Sequence, residues 1–126
     1  MNKYLILLIL CSIFLSSIAQ IVLKLGMSNA SVLSAIQSDS VFITAKTIAS
    51  NIHVIGGLAL YFASAVVWLL VLARVDVSFA YPFVGLGFVL TMLLAYFING
   101  ELLTTTKILG TLFIAIGVAI IAQGQA

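Results

Sequence analysis

Four stretches of the chain are apolar for about twenty residues each, 4–26, 54–73, 79–98 and 105–122, and polar side chains collect between them. A bilayer core about 30 Å thick is crossed by roughly 20 apolar residues of helix, so each stretch predicts a membrane-spanning helix. The one long polar insert is 28–50. Within it Val41, Ala45, Ile48 and Ile52 recur at helical spacing behind Asp39 and Ser40, either of which suits an N-cap, and this predicts an interfacial helix leading into the second span. Such a helix serves either as a linker on the membrane surface or in gating or head-group binding. "ARVDV" is so short that the second and third spans must be antiparallel neighbours, and Asn99-Gly100 in "NGELLTTT" reads as the stop of the third.

Polar residues also occur inside the apolar runs. Ser12, Ser16, Gln20 and Lys24 fall four apart, which places them along one stripe of the first helix. Lys24 lies about 30 Å along a helix that begins at Tyr4, far enough either to snorkel to the interface or to serve the stripe as a cation. Ser78 reads as the N-cap of the third span, with Pro82 in its first turn. Gly85 and Gly87 mark either tight packing or a hinge. Gly110 and Gly117, with Ala115 between them, leave a groove of small residues that suits helix association.

Composition fixes the class. Of 126 residues, 64% are hydrophobic and 6% charged, against roughly a quarter charged in soluble domains. The chain therefore reads as one all-α integral membrane domain, 1–126, a four-helix bundle. Lys3, the Leu/Ile run after it and "SIAQ" also resemble the zones of a secretory signal. A net charge of +2 spread over five basic residues predicts no nucleic-acid partner and no polybasic lipid patch, and Cys11 has no partner for an intrachain disulfide. One histidine and no Cys/His or glycine-loop motif predict no catalytic residue, no metal, no cofactor and no enzyme activity.

The acidic residues Asp39, Asp76 and Glu101 all lie outside the apolar runs. A proton-coupled exporter of cations needs a carboxylate within the membrane, and the runs lack one. Lys24, Gln20 and Ser16 instead form a cation with neutral hydrogen-bonders, which suits an anion such as a phosphate. Tyr61, Trp68 and Tyr81 can line a cavity between helices. Basic residues divide between the two ends, Lys3 and Arg74 against Lys24, Lys46 and Lys107, which predicts a weak orientation preference and an antiparallel dimer.

The segments "AQIVLKLG", "WLLVLARVDVSFAYPFVGLGFVL" and "NGELLTTTKILGTLFIAIGVAII" together resemble the four-helix members of the drug/metabolite transporter superfamily. Small multidrug resistance exporters carry a glutamate eight residues before the first-helix lysine and a tryptophan three residues after the third-helix tyrosine. Ser16 and Val84 stand at those places. The nearer likeness is to the subunits that flip aminoarabinose linked to undecaprenyl phosphate, carried by Gln20, Lys24, Trp68, Ala80 to Pro82 and Glu101. That resemblance implies a flippase subunit in the bacterial inner membrane. It implies a cavity formed by the first three helices of two protomers, Lys24 and Gln20 holding the phosphate, and a fourth-helix dimer contact. The dimer is either two copies or a pair with a related small subunit. Alternatives are a small multidrug-type exporter of cationic or small polar compounds, and a membrane scaffold without transport.

Overall fold

The computed structural model describes residues 2–124, and within them every regular element is helical. Helix α1 spans Lys3–Met27, α2 Ala30–Gln37, α3 Val41–Ser50, α4 Ile52–Leu72, α5 Val77–Ala80, α6 Val84–Asn99 and α7 Thr105–Gln123. A 3₁₀ turn over Tyr81–Phe83 joins α5 to α6. Helices α1, α4, the α5–α6 unit and α7 are long and apolar enough to cross a membrane.

The caps explain most boundaries. Asn2, Ser40, Asn51 and Thr104 each accept a backbone N–H through the side chain at the start of α1, α3, α4 and α7. Of the two expected caps for α3 it is Ser40 that serves; Asp39, at φ 58°, turns the chain out of α2. Helix α2 itself was not expected. It is capped by Asn29, and it forms because Val32 and Ala35 bury one face. The third span starts two residues earlier than Ser78 predicts, with Asp76 at its N-cap position. Pro82 has no N–H to give, and the chain passes it in 3₁₀ geometry rather than as continuous α-helix.

Helix α1 lies at the centre of the bundle, packed along its length on α4 and more narrowly on α6, while α7 leans on the other flank of α6. The segment that also reads as a secretory signal is thus the most deeply packed of the four spans. Leu5, Ile9 and Ile13, four apart on one face of α1, meet Val71, Phe79, Ala80, Phe83 and Val118 in an apolar cluster. Phe79 and Phe83 touch edge to face with ring centroids 5.2 Å apart. This cluster fills the bundle at the end where Asn2 and Tyr4 lie beside Arg74.

Nearer the opposite end α1 and α4 approach closely. A Cβ added at Gly57 would stand 2.7 Å from Leu23 Cγ, and one at Gly26 would stand 2.8 Å from Val54 Cγ2. Asn51 closes this end: its Oδ1 accepts from His53 and Val54 N–H, and its Nδ2 donates to Gly26 O at 3.2 Å. Gly85 packs against α7, where a Cβ would meet Ile114 Cγ2 at 2.8 Å, whereas Gly87 faces α1 at ordinary contact distance. Gly110 and Gly117 have nothing within 4 Å of an added Cβ, so the face of α7 that holds them is uncovered within the chain.

Candidate functional site

The polar residues of the spans have two fates. Ser12 is buried against Ser64 of α4, and each hydroxyl donates to the other residue's carbonyl, at 3.0 and 2.9 Å, with the two Oγ atoms 3.2 Å apart. Ser17, also buried, donates to Gly87 O on α6 at 3.3 Å. These hydroxyls are committed to holding helices together, in a solvent that offers them no other partner.

The second group makes no side-chain bond to another helix and faces a cavity, whose wall Ser12, Ser17 and Ser64 also share. Between α1, α4 and α6 lies a space of about 320 Å³ whose polar lining includes Ser16, Gln20, Tyr61, Trp68, Tyr81 and Thr91. Five of the six residues expected to bind substrate meet here, and no lining residue is acidic or basic. Ser16 Oγ donates to Ile13 O in its own helix at 2.9 Å, which leaves its lone pairs facing the cavity as acceptors. Gly87 in the lining lets α6 come close to α1.

Lys24, the sixth, is exposed one turn beyond Gln20 and lines neither this cavity nor the one next to it. Its position at the last turn of α1 suits a snorkelling lysine. The structure brings forward residues that sequence reasoning passed over: Ser17, Ser64, Phe88 and Thr91. Thr91 was within reach of that reasoning, since Val84, Gly87, Phe88 and Thr91 recur at helical spacing and Thr91 is the polar member of the set.

A second cavity, about 470 Å³, adjoins the first and shares Gln20, Phe88 and Thr91 with it. It extends to Glu101, Leu102, Leu103 and Lys107, beyond the end of α6. Gly100 at φ 69° makes that turn, and Glu101 N–H reaches back to Ala95 O at 3.2 Å. The two spaces together run from mid-membrane to the end that holds Lys24 and Lys107, while the apolar cluster closes the Arg74 end.

A lining of hydroxyls, an amide and aromatic rings suits a neutral polyol such as a sugar, which aromatic faces and hydroxyls bind together. Over 120 residues the chain is 33% identical to a Proteus mirabilis protein named "Probable 4-amino-4-deoxy-L-arabinose-phosphoundecaprenol flippase subunit ArnF", covering 90% of this chain and 88% of that one. It belongs to this family of flippase subunits. A protein of the same name from Photorhabdus laumondii is 32% identical over 122 residues, 92% of this chain and 94% of its own. A Pseudomonas paraeruginosa protein named "Probable 4-amino-4-deoxy-L-arabinose-phosphoundecaprenol flippase subunit ArnE" is 43% identical over 56 residues, 44% of this chain and 49% of its own. No protein-family profile matches the chain, and no solved structure matches it.

The expectation drawn from Gln20, Lys24, Trp68, the "AYP" segment and Glu101 is met at the level of family, although Lys24 lines neither cavity. Of these residues Gln20, Trp68, Tyr81 and Glu101 line one of the two cavities.

Proposed function

We propose that this protein is a subunit of a flippase that carries a polyprenyl-phosphate-linked sugar of the undecaprenyl type across the bacterial inner membrane. The observation that carries the reading is the first cavity, whose lining is hydroxyl, amide and aromatic with no carboxylate. A cation exporter coupled to protons needs a titratable anion there, and a sugar does not. Tyr61, Trp68 and Tyr81 would stack on or hydrogen-bond the sugar, with Ser16 and Gln20 completing its polar contacts. The prenyl chain stays in lipid between helices. No step of this reading calls for chemistry on the substrate.

The working unit in this reading is a dimer. The face of α7 with Gly110 and Gly117 is free for a second chain, and similarity to subunits of two named types supports either an antiparallel pair of copies or a pair with a related small subunit. Purified protein incubated with undecaprenyl phosphate and, separately, with a lipophilic cationic dye is the test. Retention of the lipid and not of the dye in native mass spectrometry is the expected result. Binding of the dye alone would overturn the flippase reading in favour of a cation exporter.

A further inference from the structure

The second cavity gathers what the first lacks, a carboxylate and an amine. Glu101 and Lys107 both line it, and Gln20 and Thr91 connect it to the sugar-lined space. The Gly100 turn folds 101–103 back over the end of α6, and Thr104 caps α7 so that Lys107 stands in its first turn. Lys107 is exposed, as Lys24 is, but it lines the cavity, and its Nζ donates to Leu102 O at 3.0 Å. An ammonium has three donors, so two remain for a ligand. Lys24 is exposed and lines neither space.

We propose that this second cavity reads the charged groups of the substrate, with Lys107 pairing with the phosphate and Glu101 pairing with an amine on the sugar. The inference rests on the flippase reading above and assigns to Lys107 the role that the sequence suggests for Lys24. A carboxylate lining the same cavity as a phosphate-binding lysine would repel a plain anionic lipid, and it becomes useful where the ligand carries a cation beside its anion. Glu101 is therefore a specificity residue and Lys107 an anchoring residue. Lysine acts here as a compact point charge, so arginine can replace it in part.

The test measures binding of three lipids to the full-length purified protein: undecaprenyl phosphate, the same lipid bearing a neutral hexose, and the same lipid bearing an amino sugar. K107A is expected to weaken all three at least tenfold, K107R to recover most of the loss, and K24A to stay within twofold of the parent. E101Q is expected to bind undecaprenyl phosphate several-fold more tightly than the parent, because the repelling carboxylate is gone, and to erase the preference for the amino sugar over the neutral one. Trp68 fluorescence during unfolding checks that the variants fold, and K107Q replaces K107A under the same criterion should the latter not fold. Binding by K107A equal to the parent, or an amino-sugar preference that survives E101Q, overturns the inference while leaving the flippase reading in place. A parent that binds none of the three lipids overturns the flippase reading itself.

Discussion

Gly56 and Gly57 are neighbours in α4 with opposite surroundings, and alanine at each separates packing from helix propensity. A Cβ on Gly57 would stand 2.7 Å from Leu23 Cγ, 2.8 Å from Leu23 Cδ2 and 3.1 Å from Leu23 N; one on Gly56 meets nothing within 4 Å. Carbon atoms rest at about 3.5 to 4.0 Å, so the overlap at Gly57 is about 0.8 Å. Rotating Leu23 relieves the side-chain part only, since the backbone nitrogen yields only if α1 backs away from α4. Overpacking of that kind costs about 1 to 3 kcal/mol. Both substitutions gain the same helix propensity, about 0.8 to 1 kcal/mol where glycine becomes alanine in a helix interior. The propensity cancels in the comparison, and Gly57→Ala should be less stable than Gly56→Ala by about 1 to 3 kcal/mol. Trp68 is the single tryptophan, so equilibrium unfolding in mixed detergent can be followed by its fluorescence. Equal midpoints for the two variants would refute the close α1–α4 approach at Leu23.

Ser12→Ala and Ser64→Ala remove the crossed hydrogen bonds between α1 and α4, and at about 0.6 kcal/mol for a typical interhelical bond in a membrane the double variant should lose about 1.2 kcal/mol in the same assay. Each alanine keeps the carbonyl to which the other hydroxyl donates, so the two losses should be close to additive, and a double variant as stable as the parent would count against the clasp. Gly110→Leu with Gly117→Leu should not lower the stability of the single chain, since an added Cβ at either site meets nothing and leucine is the better helix former, while abolishing dimers trapped by cross-linking; undiminished dimer would remove α7 from the interface. Ser16→Glu should bind undecaprenyl phosphate at least tenfold more weakly than the size control Ser16→Gln, because an anion placed in the cavity repels the phosphate, and equal binding by the two would show that charge on α1 does not select the ligand.

The four spans were legible because an apolar run of twenty residues admits few readings, and the observed ends, such as Lys3–Met27 for the expected 4–26, depart from the hydropathy pattern by only a residue or two. Helix α2 was not legible. It has eight residues, its cap is an asparagine within "SNAS", and its reason for folding is the burial of Val32 and Ala35, which the local pattern does not declare. The glycines show the same limit. Sequence marked Gly85, Gly87, Gly110 and Gly117 by spacing, yet the close contacts of α1 with α4 are made at Gly26 and Gly57. A glycine's role depends on which side chain lies opposite it, and spacing along one helix carries no information about that. The cavity was more legible than the glue: Gln20, Tyr61, Trp68 and Tyr81 stand out as polar or amphipathic groups in apolar runs, whereas Ser12 and Ser16 look alike until the one is found bonded to Ser64 across the helices and the other to Ile13 in its own.

The bundle is asymmetric along the membrane normal, and the asymmetry bears on how a ligand could cross. At the Lys107 end the space between α1 and α6 is open and lined with polar groups; at the Arg74 end it is filled by Leu5, Ile9, Ile13, Val71, Phe79 and Phe83. The border between the two regions falls at the 3₁₀ turn, where Tyr81 lines the cavity and Phe83, two residues on, belongs to the apolar cluster. Opening the Arg74 end therefore requires the Phe79–Phe83 pair to leave α1, and the segment that must move contains Pro82, the one place in the third span where the helical hydrogen-bond ladder is already interrupted. Gly85, for which the sequence allows tight packing or a hinge, is pressed against Ile114 and Val118 of α7. A shift of α5 and the 3₁₀ turn can thus separate the plug from α1 without unpacking the Ser12–Ser64 clasp, which ties α1 to α4 and lies outside the moving segment.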